Sequence, residues 1–110
     1  HELGNLNVIL DRNRIQNDDF CETQMRMFDI PAKWKAFGWN VKEIDGHNME
    51  EVVDGMNFLS STNDGPSILI AHTVKGHGVS FMADNPAFHG AAPNDEQYAQ
   101  AMVELGEVKA

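Results

Sequence analysis

The chain has a single cysteine, Cys21, which excludes a disulfide framework and any cysteine-based zinc site. A reduced, cytoplasmic setting fits that scarcity, and Cys21 itself reads as a plain loop residue, not a nucleophile. Long apolar runs are missing as well: none approaches the roughly 18 to 20 residues a membrane span needs, so no membrane association is expected. The first residues, His1-Glu2-Leu3-Gly4-Asn5, lack the basic-then-apolar layout of a signal peptide. Basic residues are few, 8 against 17 acidic ones, for a formal net charge of −9. A surface of that sign repels a phosphate backbone, which argues against nucleic acid as a partner. Repeats and low-complexity tracts are absent too.

What remains is an ordinary globular mixture, 42% hydrophobic and 23% charged over 110 residues. That length suits one domain and is at the small end for an α/β unit. Strand-like residues begin at about Asn5 with no initiating methionine and no helical lead-in. The chain is therefore expected to be a single partial domain, 1–110, cut from something longer.

Asn5 to Asp11 (NLNVILD) reads as a short buried strand. Arg12 to Ile30 is polar and aperiodic, an irregular connection long enough to suggest function. Pro31 suits a first helical position, and Gly38 closes the short helix PAKWKAFG. Trp39 to Ile44 alternates like a strand with one wet face. Asp45-Gly46-His47 turns the chain, and Asn48 with Glu51 has the spacing of a capping box. The helix that follows runs to about Ser60 and carries Met49, Val52, Val53, Met56 and Leu59 on one predicted stripe. Pro66 to Val74 is a strand with apolar residues on both faces, and Lys75 to Pro93 is irregular and Gly-rich. A last helix starts at the Asn94 cap, with Gln97 at the capping-box position, and ends near Gly106. Met25, Met27, Met49 and Met56 are expected to fill core space. Buried strands alternating with helices predict an α/β fold with a parallel βα sheet. Three strands are fewer than such a sheet usually has, so others are expected upstream or in a partner.

In an open parallel sheet, ligands bind outside the carboxyl ends of the strands. Two segments leave such ends, Asp11 to Asn17 and Lys75 to Gly90. In the first, an apolar run discharges into Asp11-Arg12-Asn13-Arg14, with Ile15 isolated among polar residues. Magnesium and calcium take oxygen ligands and often share them with a phosphate. Asn13 can give its side-chain oxygen and Ile15 its backbone carbonyl, which leaves the isoleucine side chain free to pack. Asn-x-Ile is too common to be a motif, and an Asx-turn at a strand end is the competing reading. The second segment offers Lys75, His77 and His89, with Gly76, Gly78 and Gly90 to admit a ligand close to the backbone. Zinc held by His72, His77 and His89 finds no support in their spacing.

Four blocks taken together are more specific: HELGNLNVILDRNRIQ, WKAFGWNVKEIDGHN, ILIAHTVKGHGVSFM and FHGAAPNDEQYAQAMVELG. In order and without a large gap, they resemble the diphosphate-binding (N-terminal) part of transketolase, above all of short or split transketolases in which that part is a separate subunit. The resemblance implies an incomplete portion of a thiamine-diphosphate-binding fold. It also implies a share in transferring a two-carbon ketol unit from a ketose to an aldose, with thiamine diphosphate and a divalent ion, Mg²⁺ or Ca²⁺. Asn13 matches the family's metal-ligating asparagine, also close to the diphosphate, and Ile15 the position whose carbonyl completes the metal shell. His89 matches the histidine that reaches both the diphosphate and the donor sugar, a cofactor-binding and catalytic role. The implied partners are sugar phosphates, a pyrimidine-binding subunit or domain, and a second copy, in a dimer or heterotetramer.

The match departs from the family in places. The aspartate of the family's Gly-Asp-Gly motif, the histidines lining its sugar channel and the glutamate of its pyrimidine-binding domain have no counterpart here. Asn17 stands where the family usually has an apolar residue, and Lys75 and His77 receive no fixed role. Two alternatives stay open: a non-catalytic assembly subunit, and a related ketol transferase acting on an unusual sugar.

Overall fold

Ser67, Ile68, Leu69 and Ile70 are almost wholly buried, each at most 1% exposed, and they form the middle of the sheet. The computed structural model describes residues 1–106. In chain order its elements are β1 (Asn7–Arg12), β2 (Ile15–Gln16), β3 (Asp19–Phe20), α1 (Cys21–Gln24), α2 (Ile30–Ala36), β4 (Asn40–Asp45), α3 (Met49–Ser61) and β5 (Ser67–His72), then a 3₁₀ turn at Pro86–Phe88 and α4 (Asp95–Glu104). They fall into two compact units, residues 1–12 with 27–73, and residues 13–26 with those from 74 onward. Residues 107–110 of the expected domain lie outside the described residues.

The first unit is a parallel three-stranded sheet of order β1-β5-β4. β5 pairs on one side with β1, from Asn7↔Ser67 to Arg12↔His72, and on the other with β4, from Asn40↔Ser67 to Asp45↔His72. Successive side chains alternate between faces. Ile68 and Ile70 therefore meet Ile30, Trp34, Trp39, Val41, Val8 and Leu10 on the α2 side. Leu69 meets Leu59, Ile44, Val52 and Phe58 on the α3 side. The expected parallel βα sheet is thus present, and β5 is the strand with apolar residues on both faces.

β1 differs from its expected burial. Its residues alternate between half-buried and exposed, and Ile9 is 54% exposed. The reason is position: among the described residues β1 has a neighbour only on the β5 side, and α3 packs on β4 and β5. The apolar stripe of α3 is also turned from its expected setting. Gly55 and Leu59 are buried and Val52 half-buried, while Met49, Val53 and Met56 are exposed. Gly55 explains the turn, because a Cβ there would lie 2.8 Å from the Leu69 methyls. The bare backbone at 55 seats the helix on the sheet. Met25 and Met27 are exposed as well, so none of the four methionines expected in the core fills it.

Local signals place the helix starts. Asp29 caps α2 by accepting from Ala32 N–H at 2.9 Å, and Gly38 ends that segment at φ +80°. Trp34 and Trp39 pack edge to face with centroids 4.7 Å apart, whereas Phe37 points outward. Asn48 caps α3 by accepting from Glu50 and Glu51 N–H. The Glu51 carboxylate does not return to Asn48 N–H. It accepts from Asp45 N–H at 2.7 Å and from the Asn48 side-chain amide, bracing the whole turn. At α4 the box is reciprocal, with Asn94 Oδ1 accepting from Gln97 N–H and Gln97 Oε1 from Asn94 N–H. No helix among the described residues is long and apolar enough to cross a membrane.

Candidate functional site

The chain leaves β1 after Arg12 and β5 after His72, neighbouring positions at the carboxyl edge of the sheet. At that edge Thr73 Oγ1 donates to Asp11 Oδ1, and His72 Nε2 lies 2.8 Å from Glu43 Oε2. His72 is thereby occupied within the first unit. Among the described residues no group of three His, Cys, Asp or Glu is placed to hold a metal.

Asn13, Ile15 and His89 all belong to the second unit. The segment from Arg12 to Ile30, expected to be irregular, contains a small hairpin in which β2 and β3 pair Ile15↔Phe20 and Gln16↔Asp19. Asn17 opens its two-residue turn in the left-handed region, φ +52°, which asparagine tolerates. The bond from Cys21 N–H to Arg14 O, at 2.8 Å, makes 14 and 21 a hydrogen-bonded pair. Pairs alternate along an antiparallel ladder, so Ile15↔Phe20 is a non-bonded pair and the polar groups of Ile15 face away from β3. Its N–H donates to Asn13 Oδ1 at 3.0 Å. In an extended residue N–H and C=O point to the same side, which sets the Ile15 carbonyl on the edge that also carries the Asn13 amide.

This is the Asx-turn of the competing reading, and it is compatible with ion binding. A carbonyl oxygen has two lone pairs, and the turn uses one of Asn13's. Two oxygens on one free edge fit a hard divalent cation.

The second segment is built around a close backbone approach. Gly76 has φ +74°, and a Cβ on it would lie 2.5 Å from Met82 O. Val79 is buried, Phe81 and Phe88 pack with centroids 5.4 Å apart, and Asn85 caps the 3₁₀ turn by accepting from Ala87 N–H. His89 follows that turn with its N–H donating to Pro86 O at 2.9 Å. Its ring is exposed and makes no hydrogen bond among the described residues. No hydrogen bond joins it to Asn13 or Ile15. Lys75 contributes its carbonyl, accepting from Asp84 N–H.

Gly76→Ala should destabilise the protein by roughly 1–3 kcal/mol from the left-handed backbone alone, with the Met82 clash added to it. Gly90 separates the two terms: it has φ +81°, and nothing lies within 4 Å of where its Cβ would stand. Denaturation midpoints should fall clearly further for Gly76→Ala than for Gly90→Ala; equal losses would refute the close approach.

Two further polar contacts, both in the second unit, were also not expected from the sequence. Arg14 Nη2 and Asp84 Oδ2 form an ion pair at 3.1 Å, with side chains 57% and 40% exposed. Such a pair stabilises by only about 0–1 kcal/mol. The other contact lies at the end of α4, where Glu104 faces an unfavourable helix dipole. Its carboxylate accepts from Ser80 Oγ at 2.7 Å, from Ser80 N–H and from Gln100 Nε2. An acidic residue against the dipole was the available signal.

The Ser80 hydroxyl, then the Ser80 N–H and Gln100, hold the Glu104 carboxyl below its ordinary pKa. A depressed carboxyl adds stability above its unfolded-state value and loses it as pH falls through the folded one. The melting-temperature margin of the wild type over Glu104→Gln should therefore be full at neutral pH and shrink in acid below the ordinary carboxylate range. A margin independent of pH would remove the clamp.

The sheet defines an open parallel α/β domain, and comparison with known proteins narrows the class. The model of the family described as "Transketolase, thiamine diphosphate binding domain" matches residues 1–109. An apulose-4-phosphate transketolase subunit of Phocaeicola vulgatus is 39% identical over 107 residues, 97% of this chain and 38% of that protein. The 6-deoxy-6-sulfo-D-fructose transketolase subunit SqwG of Clostridium sp. (strain MSTE9) is 33% identical over 94% of this chain and 38% of its own length. Among solved structures, transketolase from Campylobacter jejuni superposes with a TM-score of 0.86 at 24% identity, over 96% of this chain and 16% of that one. The chain belongs to the transketolase family, in its thiamine diphosphate-binding domain, and it spans about 38% of the length of the first of these relatives.

Proposed function

We propose that this chain is part of a transketolase that moves a two-carbon ketol unit from a ketose to an aldose with thiamine diphosphate and a divalent cation, Mg²⁺ or Ca²⁺. The observation that carries this reading is the hairpin edge on which Asn13 Oδ1 and the Ile15 carbonyl face the same side. Thiamine diphosphate, when bound, supplies the electron sink for cleaving the bond next to the ketose carbonyl. Asn13 and Ile15 would hold the cation, whose charge offsets that of the diphosphate in a protein with a net charge of −9. His89 would donate to a phosphate oxygen and to a hydroxyl of the donor, positioning the ketose and moving a proton near neutral pH.

The two relatives named as subunits act, by their names, on apulose 4-phosphate and on a sulfofructose. They favour a donor outside the common sugar phosphates. Their subunit names also support a separate pyrimidine-binding partner, in an assembly containing a second copy of this chain. The open edge of β1 and the exposed Ile9, Met49, Val53 and Met56 support association too. We place residues 1–110 in one partial domain of a cytoplasmic enzyme, in keeping with the lone cysteine.

Titration with Mg²⁺ and thiamine diphosphate, with and without the pyrimidine-binding part, tests the proposal. Saturable binding and ketol transfer only in the assembled enzyme are expected. Assembly without any cofactor binding would replace it with the non-catalytic role.

A further inference from the structure

The geometry points to Arg14 and Asp84 as a strut that sets the proposed cation site: positioning residues, neither of them a ligand. The inference rests on the function proposed above and deepens it. Arg14 lies between the two candidate ligands and takes φ +65°, a conformation that costs a non-glycine residue energy. The Asx-turn from Asn13 Oδ1 to Ile15 N–H closes over this left-handed residue. If Arg14 relaxed to an ordinary φ, the backbone would swing and the two oxygens would no longer share an edge.

Asp84 restrains it from the other segment. It too is left-handed, at φ +51°, and its N–H donates to Lys75 O at 3.0 Å. The next residue, Asn85, donates from its side chain to Phe81 O and accepts from Ala87 N–H, so Asp84 stands at the base of a braced turn. That turn ends at His89. The ion pair therefore joins the segment of Asn13 and Ile15 to the segment of His89 across 70 positions of sequence.

Charge gives a second reason for an acid at 84. A guanidinium carried on the residue between two oxygens proposed for a divalent cation adds positive charge to that segment, and a carboxylate 3.1 Å from it offsets that charge. The carboxylate is kept although its Oδ1 is buried with no hydrogen-bond partner among the described residues.

Asp84→Asn tests the strut in the assembled enzyme. Asparagine has the same size and tolerates the left-handed region, so the turn survives while the ion pair and the neutralising charge go. Calorimetric titration of the metal-free enzyme with Mg²⁺ should show binding weakened roughly tenfold, the lower end of what loss of an outer-shell partner costs. Without metal, the Ile15 and Cys21 amides should exchange their hydrogens faster, since their bonds define the turn. Turnover at saturating metal should be preserved. Arg14→Gln combined with Asp84→Asn should recover part of the Mg²⁺ affinity, because the stray positive charge is gone, but keep the fast exchange.

Asn13→Ala is the reference. If it leaves Mg²⁺ affinity unchanged, the cation reading fails and the strut with it. If Asn13→Ala responds while Asp84→Asn alters neither Mg²⁺ affinity nor exchange, the strut alone is wrong. A lower melting temperature with unchanged Mg²⁺ affinity would mark the ion pair as merely structural and overturn the inference.

Discussion

Asn13→Ala is expected to raise the concentrations of Mg²⁺ and thiamine diphosphate needed for half-activation of the assembled enzyme, with little change in thermal stability. The substitution removes a proposed oxygen ligand from a hairpin edge and no core volume, since Asn13 is half-buried outside both apolar clusters. Its structural cost is the Asx-turn, one hydrogen bond worth about 0.5–1.5 kcal/mol net. The functional cost should be larger. Loss of an outer-shell partner already weakens metal affinity roughly 10- to 100-fold, and a direct ligand should cost at least that. Thiamine diphosphate should follow the metal because the two are proposed to bind through each other.

Ile15→Val supplies the contrast. The proposed ligand there is a carbonyl fixed by the ladder, so the side chain can lose a methylene with little effect on either activation constant. Unchanged constants in Asn13→Ala would sink the metal assignment. A loss in Ile15→Val as large as that in Asn13→Ala would move the role from the carbonyl to the side chain.

Much of the architecture was legible because its causes are local. Asn48 and Asn94 announce helix starts through their own side chains and one residue three positions on, and both cap as expected. The run Ile68-Leu69-Ile70 is apolar without alternation, and only a strand covered on both faces accommodates that. Other features depend on groups far apart in sequence. β2 and β3 are two residues each, too short for any periodicity to register, and their pairing rests on the turn at Asn17 and Asp18. In α3, six large apolar residues cover more than one stripe, and Gly55 against Leu69 decides which is buried. No apolar pattern weighs a glycine. Arg14 and Asp84 met only once the two segments were folded. The candidate site itself was found by joining the strand-end rule to a resemblance. The fold adds that Asn13, Ile15 and His89 share one compact unit, and that Asn13 and Ile15 touch.

His89→Ala should lower turnover with a donor ketose far more than it weakens thiamine diphosphate binding. The ring is exposed, follows a capped 3₁₀ turn and is committed to no other hydrogen bond among the described residues, so its loss leaves the surrounding backbone intact. Its proposed bond to a phosphate oxygen would add to what the proposed metal provides. A bond from a charged or polar donor of this kind contributes about 0.5–3 kcal/mol net, which places the change in cofactor affinity near tenfold. Toward the donor, the same ring would act where charge develops during bond cleavage. One positioned donor in such a site can be worth roughly 2.7–4 kcal/mol, or 10²–10³-fold in rate. Steady-state kinetics at saturating cofactor decides between the two roles. A rate still depressed by about 10²-fold or more assigns His89 to the donor sugar. Full turnover restored by added thiamine diphosphate would leave it a phosphate ligand only.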